Sequence, residues 1–147
     1  PMERVFGIDV GTVRIGIAMS DPLGITAQPL ETIVRDGQGS EWARLDFLVR
    51  EYKPSRAVIG LPMNMNGTEG PAAEASRLFA KTFSRKFSSI QVIFQDERLT
   101  TAASERILIE SGMRREKRRE KRDIIAAALI LQTWLDTPRP PDKSPAP

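Results

Sequence analysis

The sequence predicts an α/β domain with a mixed sheet, in which antiparallel hairpin strands are followed by parallel strands and helices cover both faces. Three apolar stretches of strand length, separated by turn-forming residues, open the chain and predict the hairpins. Two further strand-like stretches alternate with amphipathic helical patterns, as expected for parallel strands joined by crossover helices. The 147 residues, 40% of them hydrophobic, suffice for one buried core but not for two ordinary domains.

The opening strands are predicted at residues 5–9, 15–20 and 28–34. The first ends at Asp9, which is followed by a tight Val-Gly-Thr turn. The third is closed by the turn-forming residues 36–39. Three antiparallel strands are therefore expected before the first helix.

Helices and strands then alternate. Ser40 is the predicted N-cap of a first helix that ends before Pro54, and a strand follows at residues 57–59. Pro71 is expected in the first turn of a second helix. The side chains of this helix predicted to face the core are Ala75, Leu78, Phe79 and Phe83.

A last strand is predicted at residues 90–94, and two helices complete the domain. The first of them is capped by Thr100 or Thr101 and ends at Gly112. The second is apolar and Ala-rich, covers residues 123–135 and is expected to be largely buried.

We expect the domain to span residues 2–136. Pro1 precedes Met2, which is typical of a residue left by an expression tag. Five prolines among the last eleven residues, without apolar periodicity, predict a disordered tail at 137–147. The chain has neither an apolar run of roughly 20 residues nor a signal peptide, so we expect a cytoplasmic protein.

The amino-acid composition restricts the chemistry. Without cysteine or histidine the chain can form no disulfide, thiolate site or imidazole ligand, and it has no histidine base. A catalytic metal would have to be held by oxygen atoms, which favours Mg²⁺ or Mn²⁺ over Zn²⁺.

Acidic residues stand at the ends of three predicted elements. Asp9 ends the first strand, Asp96 and Glu97 follow the last strand, and Asp123 begins the final helix. Each has an ordinary alternative: a turn residue for Asp9, a charged strand exit for the pair, and a helix cap for Asp123. Because side chains alternate along a strand, only one of Asp96 and Glu97 can face a shared site.

Acids on three separate elements can converge at one edge of such a sheet. Converging carboxylates without histidine suit two-metal hydrolysis of phosphodiesters, in which ions roughly 4 Å apart activate water and stabilise the leaving oxygen. No side-chain nucleophile is then required.

A basic segment precedes Asp123. Residues 114–122 carry seven basic and two acidic side chains, a local charge of +5 in a chain whose net charge is +3. Such a segment can bind a nucleic-acid backbone by releasing counterions, or it can be a solvated charged helix extension. The predicted nucleic-acid-binding residues are Arg14, Arg98, Arg114, Arg115, Lys117, Arg118, Arg119, Lys121 and Arg122.

The loop at residues 60–67 follows a strand and contains Asn64 and Asn66. These asparagines could contact a substrate phosphate or sugar. We favour their interpretation as turn residues, since asparagine tolerates left-handed dihedral angles.

Four stretches together resemble the YqgF family, also called RuvX, whose members are described as Holliday junction resolvases and as nucleases for the 5′ end of pre-16S ribosomal RNA. They are GIDVGTVRIGIAMSDPLGITAQPL, GLPMNMNG, DERLTT and DIIAAALILQTWL, in order from Phe6 to about Leu135. The resemblance implies a ribonuclease-H-like fold, a divalent metal (Mg²⁺ or Mn²⁺), and catalytic and metal-binding acids at Asp9, Glu97 and Asp123. Asp96 is the alternative to Glu97.

The sequence departs from the family at two positions. Val13 stands where a basic residue is often found before the equivalent of Arg14, and Asn66 stands where the family often has Asp. Neither departure affects the three acids. The resemblance implies structured RNA, such as a ribosomal RNA precursor, or branched DNA as substrate, and a homodimer if the substrate is a symmetric junction.

Two other functions are compatible with parts of the sequence. An ATP-binding relative of actin and the sugar kinases also has an Asp-x-Gly-Thr hairpin, but it would need a second domain and a second phosphate hairpin that this length does not provide. A non-catalytic nucleic-acid-binding factor could retain the same acids, and a cleavage assay would distinguish it from a nuclease.

Overall fold

The computed structural model describes residues 3–98 and 115–138, without the side chains of residues 115–121. The predicted helix that ends at Gly112, and all but the first two residues of the proline-rich tail, lie outside the described residues. Five strands and three helices are described, none of these helices long and apolar enough to cross a membrane.

The strands form one mixed sheet. They are β1 (Val5–Val10), β2 (Arg14–Ser20), β3 (Ala27–Val34), β4 (Arg56–Leu61) and β5 (Gln91–Asp96). The order across the sheet is β3-β2-β1-β4-β5. The pairs β1–β2 and β2–β3 are antiparallel, whereas β4 is parallel to both β1 and β5. The predicted mixed sheet is thus confirmed.

The helices are α1 (Ser40–Tyr52), α2 (Pro71–Lys86) and α3 (Arg115–Asp136). The predicted N-cap of α1 is wrong: Ser40 is already helical, and Gly39 caps the helix with φ of 83°, a left-handed conformation that glycine adopts without steric cost. Pro71 begins α2, as predicted.

The predicted inward face of α2 is partly wrong. Phe79 and Phe83 are buried, but Ala75 and Leu78 are exposed, Leu78 by 66%. The remaining inward positions are the small residues Ala73, Ser76 and Ala80. They let α2 lie close to the sheet while contributing little hydrophobic signal to the sequence pattern.

The final helix is described from Arg115, eight residues before its predicted start. Asp123 therefore lies at least two full turns inside the helix. The first-turn interaction with the helix dipole, which would explain an acid at a helix start, does not apply there. The capping alternative for Asp123 is wrong.

The two faces of the sheet bury different cores. On one face, large side chains of the strands, such as Phe6, Ile17 and Ile59, pack against α1 and α2. On the other face, Val5, Ala18 and Val58 pack against α3. Because side chains alternate along a strand, Gly7 and Asp9 share the second face with Val5.

Glycines let α3 lie very close to this second face. A Cβ atom on Gly7 would be 2.6 Å from Cβ of Leu131. A Cβ atom on Gly16 would overlap the backbone carbonyl of Asp123. The missing side chain at Gly16 therefore brings the backbone of Asp123 directly onto β2.

Candidate functional site

Three acidic side chains meet where β1, β5 and α3 come together. Asp9 lies near the carboxyl end of β1, Glu97 directly follows β5, and Asp123 lies on α3. The carboxyl group of Asp9 lies close enough to those of Glu97 and Asp123 for both to raise its pKa. The structure thus brings together the three acids that the sequence predicts as one site.

Glu97 reaches Asp9 across β4. In the sheet register, Ile8 pairs with Ile59 and Gly60 pairs with Gln95, so β4 lies between Asp9 and the end of β5. A Cβ atom on Gly60 would overlap Oε2 of Glu97. The absence of a side chain at Gly60 leaves the space in which the Glu97 carboxylate lies.

Asp96 points away from this cluster. It is exposed, and its Oδ2 atom accepts hydrogen bonds of 2.8 and 2.7 Å from Nε and Nη2 of Arg98, while Oδ1 accepts one of 3.0 Å from the Arg98 backbone N–H. Those bonds hold the pKa of Asp96 below its ordinary value. Glu97, in contrast, is only 8% exposed. The alternation expected from the sequence places Glu97, rather than Asp96, beside Asp9.

The electrostatics of the site favour protons on Asp9 and Glu97. Burial, followed by the negative charges of Glu97 and Asp123, raises the pKa of Asp9 from 3.8 to about 8. Burial, followed by the charge of Asp96, raises the pKa of Glu97 from 4.5 to about 7, against the hydrogen bond with Asp9, which lowers it. At neutral pH without a cation, the cluster therefore retains a proton between Asp9 and Glu97.

A basic side chain stands beside the third acid. Nε of Arg14, at the start of β2, lies 3.3 Å from Oδ2 of Asp123, and both side chains are partly exposed. Arg98 directly follows Glu97 in the chain, but its guanidinium binds Asp96 and donates a 3.4 Å hydrogen bond from Nη1 to the carbonyl of Met65. Of the predicted nucleic-acid-binding arginines, Arg14 thus contacts an acid of the cluster, whereas Arg98 only follows one in sequence.

A partly buried ion pair holds the turn that follows Asp9, and the sequence did not reveal it. Nε of Arg35 lies 2.9 Å from Oε2 of Glu41, which is 4% exposed. Nη1 of Arg35 also donates a 2.9 Å hydrogen bond to the carbonyl of Gly11, and its backbone N–H donates a 2.8 Å bond to Val13. An acid in the first turn of a predicted helix is common for other reasons, so Glu41 gave no signal of this contact.

The asparagines of the loop after β4 serve its turn. Nδ2 of Asn64 donates to Oγ1 of Thr68 at 3.0 Å, and Oδ1 of Asn66 accepts from the Thr68 backbone N–H at 3.1 Å. Gly67 has a left-handed φ of 85°. These asparagines are turn residues, as predicted, but they act through side-chain hydrogen bonds and not through left-handed dihedral angles, which only Lys53 adopts among the described residues other than glycine. Met65 is 74% exposed at this edge of the sheet.

The donor set suits a hard divalent cation. Its carboxylate oxygens are the ligands that Mg²⁺ and Mn²⁺ prefer, and a bound cation would relieve the repulsion that raises the pKa of Asp9. Among the described residues, no group of three acidic side chains is arranged as a ready-made metal site. An ion would have to displace the proton that the raised pKa values of Asp9 and Glu97 retain at neutral pH.

The basic segment belongs to the same helix as Asp123. The α3 backbone runs without interruption from Arg115, so Arg115 lies eight residues, or about 12 Å along the helix axis, before Asp123. Arg122 is partly buried. Arg114 lies outside the described residues, and so do the side chains of Arg115, Lys117, Arg118, Arg119 and Lys121.

Comparisons with known proteins identify a family and close relatives. Residues 3–137 match the sequence profile of the family described as RuvX, Holliday junction resolvase. A protein of Lactococcus lactis, named "Putative pre-16S rRNA nuclease", is 50% identical over 135 residues, which cover 90% of this chain and 94% of the relative. A protein of the same name from Myxococcus xanthus is 47% identical over 139 residues, covering 95% and 91%.

Solved structures share the fold at low sequence identity. RuvC of Thermus thermophilus, in complex with a Holliday junction, superposes with a TM-score of 0.56 at 18% identity and covers 92% of this chain and 97% of its own. The Holliday junction resolvase of fowlpox virus gives a TM-score of 0.51 at 18% identity, covering 90% and 98%. This similarity establishes a RuvC-like, ribonuclease-H-like fold.

Proposed function

This chain belongs to the RuvX family, and we propose that it is a metal-dependent endonuclease that hydrolyses phosphodiester bonds in structured nucleic acid. The observation that carries the proposal is the convergence of Asp9, Glu97 and Asp123 from three separate elements at one edge of the sheet. Isolated turn, strand-exit and cap residues would have no reason to share a buried, mutually repelling cluster.

We propose that the three acids hold Mg²⁺ or Mn²⁺. When bound, such a cation activates water and stabilises the charge that develops on the phosphate and on the leaving oxygen. Asp9 interacts with both other acids and is the central ligand of the set. Binding requires the proton shared by Asp9 and Glu97 to leave, because carboxylates bind cations in their ionised form.

Other residues of the chain would orient the acids and the substrate. Arg14, at 3.3 Å from Asp123, fixes that carboxylate from the β2 side and offers its remaining N–H groups to a phosphate. The pair of Arg35 and Glu41 holds Gly11 and Val13 in place, so that the backbone after Asp9 keeps its position when a substrate approaches.

The basic segment at the start of α3 would bind the substrate backbone. Its charges lie on the helix that carries Asp123, so phosphates bound there remain within about 12 Å, along the helix axis, of the acidic cluster. Binding of this kind depends on salt and not on base sequence. It suits an enzyme that recognises a structured nucleic acid by its shape.

The relatives indicate the first substrate to test. Those that are 47–50% identical carry the name of a pre-16S ribosomal RNA nuclease, whereas the family description refers to Holliday junctions. We therefore propose 5′-end processing of pre-16S ribosomal RNA in the cytoplasm as the primary role, with junction resolution as the second. Symmetric cleavage of a junction would require two copies of the chain.

The test is a cleavage assay of the wild type and Asp9→Asn, each with Mg²⁺ or Mn²⁺. Asparagine keeps the size of the side chain but removes its charge, so we expect a loss of rate of about 10³-fold or more, equivalent to several kcal/mol of transition-state stabilisation. Equal rates in the two proteins would exclude the mechanism and favour a non-catalytic binding factor.

The same assay divides the two substrates. A ribosomal RNA precursor and a four-way DNA junction are incubated side by side with the wild type under identical salt and metal conditions. We expect cleavage near the 5′ end of the mature RNA at lower enzyme concentration than cleavage of the junction. The reverse order would assign junction resolution as the main activity.

A further inference from the structure

We propose that the groove between α2 and β5 binds a single strand of nucleic acid that extends from the cleavage site. This inference rests on the proposed function and adds to it the path of the substrate outside the acidic cluster. The groove has a volume of about 280 Å³. Its lining consists of Arg77, Ala80, Lys81 and Ser84 from α2, and Val92 and Phe94 from β5.

The groove contains a flat stacking surface. The guanidinium of Arg77 lies over the Phe94 ring, 4.9 Å from its centroid. Two bonds from Arg77 to the Glu69 carboxylate, Nε to Oε1 at 2.6 Å and Nη2 to Oε2 at 2.8 Å, fix the plane of the guanidinium. Arginine and aromatic side chains are the groups on which unpaired bases stack in single-strand-binding proteins.

Two positive charges follow Arg77 along α2, one in the groove and one beyond it, whereas the charge of Arg77 itself is balanced by Glu69. Lys81 follows Arg77 by four residues and Arg85 follows Lys81 by four, so the three side chains share one face of α2. All three are exposed. Within the described part of the chain, Lys81 makes no ion pair, and its charge is therefore available for a phosphate. The hydroxyl of Ser84 supplies a neutral hydrogen-bonding group beside it.

The groove leads towards the acidic cluster. Phe94 and Glu97 are three residues apart, roughly 10 Å along an extended chain. Val92 and Phe94 pack against the α1–α2 core, whereas Asp9 and Glu97 lie on the α3 side of the sheet. A nucleic-acid strand bound in the groove must therefore cross the carboxyl end of β5 to reach the acids. Arg98 stands at that crossing, linked to Asp96 and to the carbonyl of Met65.

The loop after β4 connects the two places. Glu69, which orients Arg77, pairs with Met63 in an isolated antiparallel bridge, and Arg98 contacts Met65 in the same loop. The chain that forms one wall of the crossing thus also positions the stacking surface. An acidic peptide could satisfy Lys81, but it would make no use of the oriented guanidinium and ring, so the chemistry favours nucleic acid.

The experiment measures binding in the Asp9→Asn background by fluorescence anisotropy. The probes are an RNA hairpin and the same hairpin with an eight-nucleotide single-stranded extension on its 5′ or its 3′ side. We expect one of the two extensions to strengthen binding by about tenfold. Lys81→Glu should abolish this gain and leave the affinity for the plain hairpin unchanged, while the control Arg50→Glu, on the exposed face of α1, should retain it.

A second variant tests the stacking surface separately from charge. Phe94→Leu keeps an apolar side chain in the core but removes the ring, and it should reduce the gain about fivefold or more. The proposal is overturned if neither extension strengthens binding, or if both variants retain the gain. It is also overturned if polyglutamate displaces the extended probe as effectively as unlabelled single-stranded RNA does. Because binding is measured without cleavage, absence of nuclease activity in the wild type would overturn the proposed function alone.

Discussion

Glu97 and Asp96 are neighbours in the chain with different surroundings. Glu97 is nearly buried beside Asp9, whereas Asp96 is exposed and paired with Arg98. If Glu97 is the ligand, Glu97→Gln should lower the cleavage rate about 10²-fold or more, while Asp96→Asn should lower it less than tenfold. Single-turnover rates with saturating metal measure this difference. A larger loss of cleavage rate in Asp96→Asn than in Glu97→Gln would assign the ligand to Asp96 instead.

The raised pKa values of Asp9 and Glu97 predict a pH-dependent stability of the metal-free protein. Both groups keep protons in the folded state that the unfolded chain releases above its ordinary pKa near 4. The free energy of unfolding should therefore fall as pH rises from about 5 to 8. Each of the two groups contributes at most about 1.4 kcal/mol to this fall for every pH unit.

Urea unfolding in the presence of a chelator at pH 5, 6.5 and 8 measures this fall. Asp9→Asn removes one titrating group and its repulsion with Glu97, so its unfolding free energy should depend less on pH and exceed that of the wild type at pH 8. Added Mg²⁺ should stabilise the wild type at pH 8 more than the variant. An identical pH dependence in both proteins would contradict the shared proton.

At the scale of the elements, the fit of α3 against β2 depends on Gly16. A Cβ atom there would overlap the backbone of Asp123, so Gly16→Ala must displace the helix or the strand. We expect a loss of about 1–3 kcal/mol of stability, and a loss of cleavage rate of about 10²-fold because Asp123 moves with the helix. Thermal unfolding and cleavage rates measure both.

Gly70→Ala is the matched control. A Cβ atom on Gly70 would make only an ordinary contact of 3.5 Å with Asn64, and its φ of −113° suits alanine. Because Gly70 is the N-cap of α2, this variant should lose at most about 1 kcal/mol of stability, and it should cleave at the rate of the wild type. If Gly16→Ala is as stable and active as Gly70→Ala, the close approach of α3 does not position Asp123.

The sequence predicted the elements more completely than their contacts. Apolar alternation placed all five strands within two residues of their observed ends, because each strand is bounded by turn-forming residues or charge. The convergence of Asp9, Glu97 and Asp123 was also predicted, since the ends of β1 and β5 lie at one edge. That these three acids bind a metal ion remains a prediction.

Features that depend on small side chains were missed. Ala73, Ser76 and Ala80 face the sheet, but a small residue carries too little hydrophobic signal to mark the inward side of a helix. Gly16 and Gly60 lie inside strands, where a glycine indicates that another part of the protein packs closely against the strand. The sequence does not identify which part that is. The partner becomes known only when α3 and Glu97 are in place.

At the scale of the whole molecule, charge is distributed unevenly. Residues 114–122 carry a charge of +5, which leaves −2 for the rest of the chain, and from Arg115 onward they are continuous with the helix of Asp123. A polyanion is therefore attracted most strongly to one end of α3, since the remainder of the chain has little net charge. This asymmetry would orient a nucleic acid before it contacts the acidic cluster.

The double variant Arg118→Ala, Arg119→Ala tests this distribution. If both side chains contact phosphates, binding of a ribosomal RNA precursor weakens, and the slope of log K against log salt becomes smaller by about 1 to 2. Arg44→Ala, Arg50→Ala is the control, since it removes the same charge from α1, where both side chains are paired with acids. Anisotropy titrations between 50 and 300 mM KCl give both slopes. Over this range the Debye length falls from about 14 to about 6 Å. An unchanged slope in the Arg118 and Arg119 variant would show that the nucleic acid lies elsewhere on the surface. The groove beside Phe94 would then be the principal route by which the substrate reaches Asp9.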